Sequence, residues 1–214
     1  EDIVKDVFMK IQEHHDTLRM TYKLANDPVI QTNQGVHYPL ALQVFDLKGQ
    51  PEAKAELTAN ANEIQASINL ETGPMMKLGL FHMDDGDRLL IAIHHLVVDG
   101  VSWRILFEDF ENLYRQKKGG EPFSLPLKSD SFKEWSLKLS EYANSESFLA
   151  EKNYWAEIES REVPGIMKDL DVENSLVKDT DMMSFALNED ETNLLLTKVN
   201  HAFGTEINDI LLTA

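Results

Sequence analysis

The chain has no cysteine in its 214 residues. That excludes disulfides, a thiolate nucleophile and cysteine-ligated metal, and it leads us to expect a reducing, cytoplasmic setting. No apolar run approaches the roughly 20 residues of a membrane span, and no basic segment followed by an apolar one opens the chain. Neither membrane insertion nor secretion is therefore expected. Basic residues are scarce: 20 Lys and Arg stand against 37 Asp and Glu, for a net charge of −17. Such a surface repels phosphate backbones, so nucleic acid is not an expected partner. Glycine patterns of the Walker or dinucleotide type are missing, as are internal repeats and low-complexity tracts. With 43% apolar and 27% charged residues the chain can bury a core, and its alternating periodicities indicate an α/β fold.

The sequence starts at Glu1 inside a helical pattern (Ile3, Val4, Val7, Phe8, Ile11) and stops inside another (Ile207, Ile210, Leu211). It reads as a piece of a longer polypeptide, with site residues expected beyond it. Residues 2 to 16 predict a helix running into an extended stretch, and residues 26 to 39, punctuated by Pro28, Gly35 and Pro39, an irregular or hairpin-like connection. A short strand is expected at 40–44, and Pro51 opens a helix to about Leu70. The runs 75–83 and 88–95, joined by Asp84-Asp85-Gly86-Asp87, form the best hairpin signal. Trp103, Leu106, Phe107, Phe110, Leu113 and Tyr114 then repeat at three and four, marking an amphipathic helix that ends at Lys117-Lys118-Gly119-Gly120, with loop to residue 130.

Phe132, Trp135, Leu139 and Tyr142 mark one further helix, and Phe148, Trp155 and Ile158 another; their aromatics read as core. An acidic surface connection is expected from Arg161 to Asp181 and a strand at 182–187. Asn188 with Glu191 forms a capping box for a helix that Gly204 ends, and Thr205 is expected to cap the last helix.

The stretch that looks built for chemistry runs from Ile91 to Leu106, IAIHHLVVDGVSWRIL. On a continued strand the adjacent His94 and His95 would point to opposite faces, so they would not grip one metal, and no metal is expected. His95 would then sit at a strand end beside a turn, where sites collect in α/β folds. A histidine beside an apolar run is nevertheless more often a hydrogen-bonded core or interface residue than a catalyst. Asp99-Gly100 reads as a turn, although a helix rather than a strand follows it. Gly100 serves either close backbone approach or simple helix entry. Ser102 is no nucleophile elbow, because Arg104 occupies the place of the second glycine; it reads as a helix cap whose neighbouring amides could steady negative charge. Trp103 reads as core or as a wall of a substrate channel.

The spacing HHxxxDG, carried by His94, His95, Asp99 and Gly100, resembles the signature of the chloramphenicol acetyltransferase-like superfamily. Its continuation through Val101-Ser102-Trp103 to Leu106 is similar to the HHxxxDxVSWxIL motif of epimerization domains of nonribosomal peptide synthetases. The stretch His14 to Tyr22 resembles the RHExLRTxF motif of condensation and epimerization domains, departing from it at His14 and Met20. Ser131-Phe132-Lys133-Glu134-Trp135, Tyr154-Trp155 and the stretch Thr205 to Leu212 also resemble such domains.

The resemblance implies a two-layer α/β sandwich, a mixed sheet packed against helices. Residues 1–187 would form an N-terminal lobe, and 188–214 helices leading into a second lobe. It further implies inversion at Cα of an aminoacyl or peptidyl thioester held on the 4′-phosphopantetheine of a peptidyl carrier protein, in a bacterial cytoplasm beside other synthetase domains, with no cofactor of the domain's own. His95 would be one acid/base, since histidine titrates near neutrality (about 6.5 unperturbed), and a glutamate of the second lobe the other. Asp99 would turn from the substrate and pair with Arg19, and His94 would be structural. A condensation domain forming peptide bonds, or a noncatalytic module docking a carrier, shares the motif and stays open.

Overall fold

The computed structural model describes residues 1–165, 167 and 176–213, and the chain divides into two compact units, 1–159 and 160–214. The boundary anticipated at residue 187 falls inside the second unit.

The first unit begins with α1 (Asp2–His14), whose Val7, Phe8 and Ile11 are buried. A 3₁₀ turn, Asp16–Arg19, leads into β1 (Met20–Lys23), which pairs antiparallel with β2 (Ile30–Asn33). Then come β3 (Ala41–Asp46), α2 (Ala53–Ala66), β4 (Met76–His82), β5 (Arg88–Ile93) and α3 (Gly100–Gly119). In the three-stranded sheet, of order β3-β4-β5, β3 runs parallel and β5 antiparallel to β4. A mixed sheet packed against helices is thus the fold.

The strand period decides which helix covers which face. Met76 and Leu78 of β4 turn toward α1 and α3, joining Val7, Phe8, Ile11, Leu106 and Leu113 in one core. Phe81 turns the other way, toward Ile64 of α2, in a second, smaller core. Gly79 shares the α2 face because there is no room for more: a Cβ there would lie 2.8 Å from Ile64 Cδ1 and from the Phe81 ring. The inner stripe of α3 is also broken by one charged residue, Asp109, only 6% exposed. Gly120, at φ 71°, supplies the left-handed residue that stops α3, as its sequence predicts.

α4 (Phe132–Ala143), α5 (Glu146–Leu149) and α6 (Lys152–Ser160) follow, with Ser131 and Ser145 accepting first-turn amide hydrogens at the starts of α4 and α5. Of the aromatics expected as core, Phe132 packs half-buried against the main core, but Trp135 and Trp155 are each 53% exposed and none of these helices has a fully buried residue. Periodicity reports which side of a helix is apolar, not whether the same chain covers it.

In the second unit the expected capping box forms, with Asn188 accepting from the Glu191 amide at 2.9 Å and Glu191 accepting from the Asn188 amide at 3.0 Å. α7 (Glu189–Leu194), a π-helical turn and α8 (Asn200–Phe203) continue to Gly204, φ 63°, and α9 is Ile207–Thr213. Two expectations fail here. Residues 182–187 form no strand, having no partner among the described residues, and Met182, Met183 and Phe185 are exposed. Thr205 does not cap α9, since among the described residues its hydroxyl has no hydrogen-bond partner; Asp209 instead accepts from the Glu206 amide at 2.9 Å. Of the acidic connection, residues 166 and 168–175 lie outside the described residues.

Candidate functional site

β5 ends at Ile93, two residues before the strand predicted from its sequence. One more ladder bond forms, from the His94 amide to Met75 O at 3.0 Å, and the Val97 amide then turns back onto His94 O at 3.0 Å. The histidines therefore lie in a tight turn past the strand, so their separation does not come from strand alternation. His94 is half-buried and its Nδ1 accepts the Leu96 amide at 3.2 Å, which assigns the proton of a neutral ring to Nε2. His95 is exposed, beyond the end of an edge strand. Val97 and Val98, 8% and 6% exposed, fasten the turn into the main core.

Asp99 is the N-cap of α3. Its Oδ1 accepts the Ser102 amide at 2.7 Å and the Ser102 hydroxyl at 2.6 Å. These bonds, the hydroxyl first and the amide next, hold the Asp99 carboxyl below its ordinary range. Ser102 is thus the donor to the cap rather than the cap itself. An anion already sits on the first amides of α3, which removes the expected use of those amides for substrate charge. Gly100 opens the helix with free space around the position of a Cβ, so among the described residues no neighbour demands glycine there. Trp103 is half-buried against the core, its ring stacked 5.5 Å from that of Phe107.

Arg19 does not pair with Asp99. It is 4% exposed, and its Nη1 donates to the carbonyls of Gln12, of Glu13 at 2.8 Å and of His15 at 3.4 Å, capping the unsatisfied end of α1. Burial lowers the Arg19 pKa, against the attraction of Asp16 and Glu13. The neighbouring residues of the segment tie elements together. Asp16 Oδ2 accepts the Phe132 amide that begins α4, at 3.1 Å. His15 Nε2 lies 2.7 Å from Oδ2 of the buried Asp109 on α3.

Sequence reasoning passed over the pairing of His15 with Asp109, though a trace of it was there: a lone acid on the apolar stripe of α3, which is stable only with a partner. A cleft of about 90 Å³ opens beside this pair, lined by His15, Thr17, Leu18, Val97, Ser102 and Ile105. Ligand pockets run from about 300 Å³ upward, so this cleft admits a small group and no more.

A mixed sheet packed between helices, with a His-His turn leaving its edge strand and an Asp-capped helix behind it, defines a domain of the α/β class. More narrowly, the chain belongs to the Condensation domain family, whose model matches residues 1–214. It is 46% identical over 216 residues to gramicidin S synthase 1 of Brevibacillus brevis, covering 100% of this chain and 20% of that one. With the crystal structure of the epimerization domain from the third module of tyrocidine synthetase B it shares 43% identity at a TM-score of 0.86, over 99% of this chain and 49% of that one. The starter condensation domain of rhizomide synthetase shares the fold at 18% identity and a TM-score of 0.62, over 74% of this chain and 38% of that one. The chain therefore spans about a fifth of that curated relative and about half of the tyrocidine domain.

Proposed function

We propose that this chain is part of an epimerization domain of a nonribosomal peptide synthetase, converting L to D at Cα of an aminoacyl or peptidyl thioester. One observation carries the reading: similarity to an epimerization domain extends along nearly the whole chain at 43% identity, and Val101-Ser102-Trp103 follows the HHxxxDG residues as in that class. The substrate would arrive on the 4′-phosphopantetheine of a peptidyl carrier protein, and adjacent synthetase domains would be the other partners. No metal or further cofactor enters the proposed chemistry.

His95 is the proposed acid/base on this side. The α proton is acidified by the thioester carbonyl. It passes to the imidazole, electron density moves onto the carbonyl oxygen as an enolate, and a proton delivered to the opposite face gives the D centre. His95 is exposed at the mouth of the turn, accessible to a substrate laid across it. The opposing acid/base and the other wall of the channel would come from outside this chain, which spans about half of the tyrocidine epimerization domain. His94, Val97 and Asp99 would position the turn. Arg19 would act at one remove, through the end of α1.

The family description itself favours condensation as the second reading. The complete domain, given an L-aminoacyl carrier protein in deuterated water, separates the two. Deuterium at Cα with a mixture of L and D, lost in His95→Ala, supports epimerization. Dipeptide formation with no exchange supports condensation, and docking without turnover leaves a carrier-binding module.

A further inference from the structure

Beside the cleft lies a cluster that acid/base chemistry at His95 leaves unused. His14 is the last residue of α1, His15 follows in extended conformation, and Asp109 comes from the buried stripe of α3. One ring nitrogen of each histidine and one carboxylate oxygen of Asp109 lie within 4.8 Å of one another. The two imidazoles stand edge to face, centroids 5.0 Å apart. His15 Nε2 lies 2.7 Å from Asp109 Oδ2, and Asp109 is 6% exposed.

We propose that His14, His15 and Asp109 bind a divalent transition-metal ion of the zinc class, clamping the end of α1 to α3 beside the cleft. Bonds of about 2.0–2.1 Å around a tetrahedral ion set its ligand atoms roughly 3.3 Å apart. The present triangle reaches that by opening its 2.7 Å edge and drawing in its longest, which side-chain rotation supplies. Two imidazole nitrogens and one carboxylate suit zinc, cobalt or nickel, whereas magnesium and calcium call for oxygen alone. Water entering the cleft that His15 lines completes the shell.

The test is calorimetric titration of the full-length protein, freed of metal by chelator, with zinc chloride and separately with magnesium chloride. Among the described residues His14 makes no side-chain hydrogen bond, so His14→Ala should fold normally, and Asp109→Asn gives a second, isosteric probe. Zinc should bind with a stoichiometry that includes one site per chain that magnesium does not fill. Affinity at that site should fall at least about tenfold in both variants, as loss of a ligand costs no less than loss of an outer partner. It should persist in a His94→Ala/His95→Ala protein. Zinc should also raise the thermal transition of the parent and not of His14→Ala. Zinc binding unchanged in His14→Ala, abolished with His94 and His95, or missing altogether would overturn the proposal.

Discussion

Replacing Arg19 by alanine tests the physical account of the segment that carries the second motif. The guanidinium is almost wholly enclosed, 4% exposed, and one of its nitrogens serves three carbonyls at the end of α1. Hydrogen bonds from a charged donor contribute roughly 1.5–3 kcal/mol each, and a buried acceptor left unpaired costs about 1–3 kcal/mol. The three share one nitrogen and the bond to His15 O is long, at 3.4 Å, so about two bonds count. The expected destabilisation of Arg19→Ala is about 3–6 kcal/mol, a large part of the 5–15 kcal/mol typical of a domain. Urea unfolding of the full protein, read as a change in midpoint at constant slope, measures it. Arg19 and Asp99 have separate partners, so Arg19→Ala and Asp99→Asn should add in a double-mutant cycle. A loss below about 1 kcal/mol for Arg19→Ala, or strong coupling between the two changes, would refute this account and restore the Arg19–Asp99 ion pair.

Two further outcomes follow from the site. Asparagine caps helices as well as aspartate and alanine does not, so hydrogen exchange at the Ser102 amide should stay slow in Asp99→Asn and quicken in Asp99→Ala; equal exchange in both would remove the cap from Asp99. Burial, then His15, lowers the His14 pKa from its ordinary 6.5, so the unfolded chain takes up this proton first as pH falls. The His14 contribution is complete above that value and is lost as pH drops through it toward the folded pKa. His14→Gln should flatten the stability profile in that window, as followed by thermal melts from pH 5 to 7.5.

What could be read from the sequence was what local chemistry dictates. The β4–β5 hairpin, α3 with its glycine stop and the Asn188 box each carry their signal within a few residues, and each is in the structure. β2 was legible only as part of a hairpin-like or irregular connection, because Ile30-Gln31-Thr32-Asn33 is exposed along its whole length and shows no alternation; only backbone bonding to β1 makes it a strand. The turn at His94 was hidden for a related reason. Nothing in Ile93-His94-His95 marks the point where Met75 ceases to offer a ladder partner. The motif paired Asp99 with Arg19, whereas Asp99 caps α3 and Arg19 caps α1, because side-chain reach is set by tertiary placement and not by motif. The aromatic ridges of α4 and α6 show the limit most plainly: an amphipathic pattern announces a face, and its cover need not be in the same segment.

The order of strands in the central sheet bears on how the turn of His94 and His95 comes to be in place during folding. β4 is flanked by β5, reached through a tight loop, and by β3, which the chain joins to it only after the whole of α2 has intervened. Closing the short connection sacrifices less chain entropy than closing the long one. The scaffold from which His94 and His95 emerge is therefore the more local half of the sheet, able to zip up before its parallel neighbour docks.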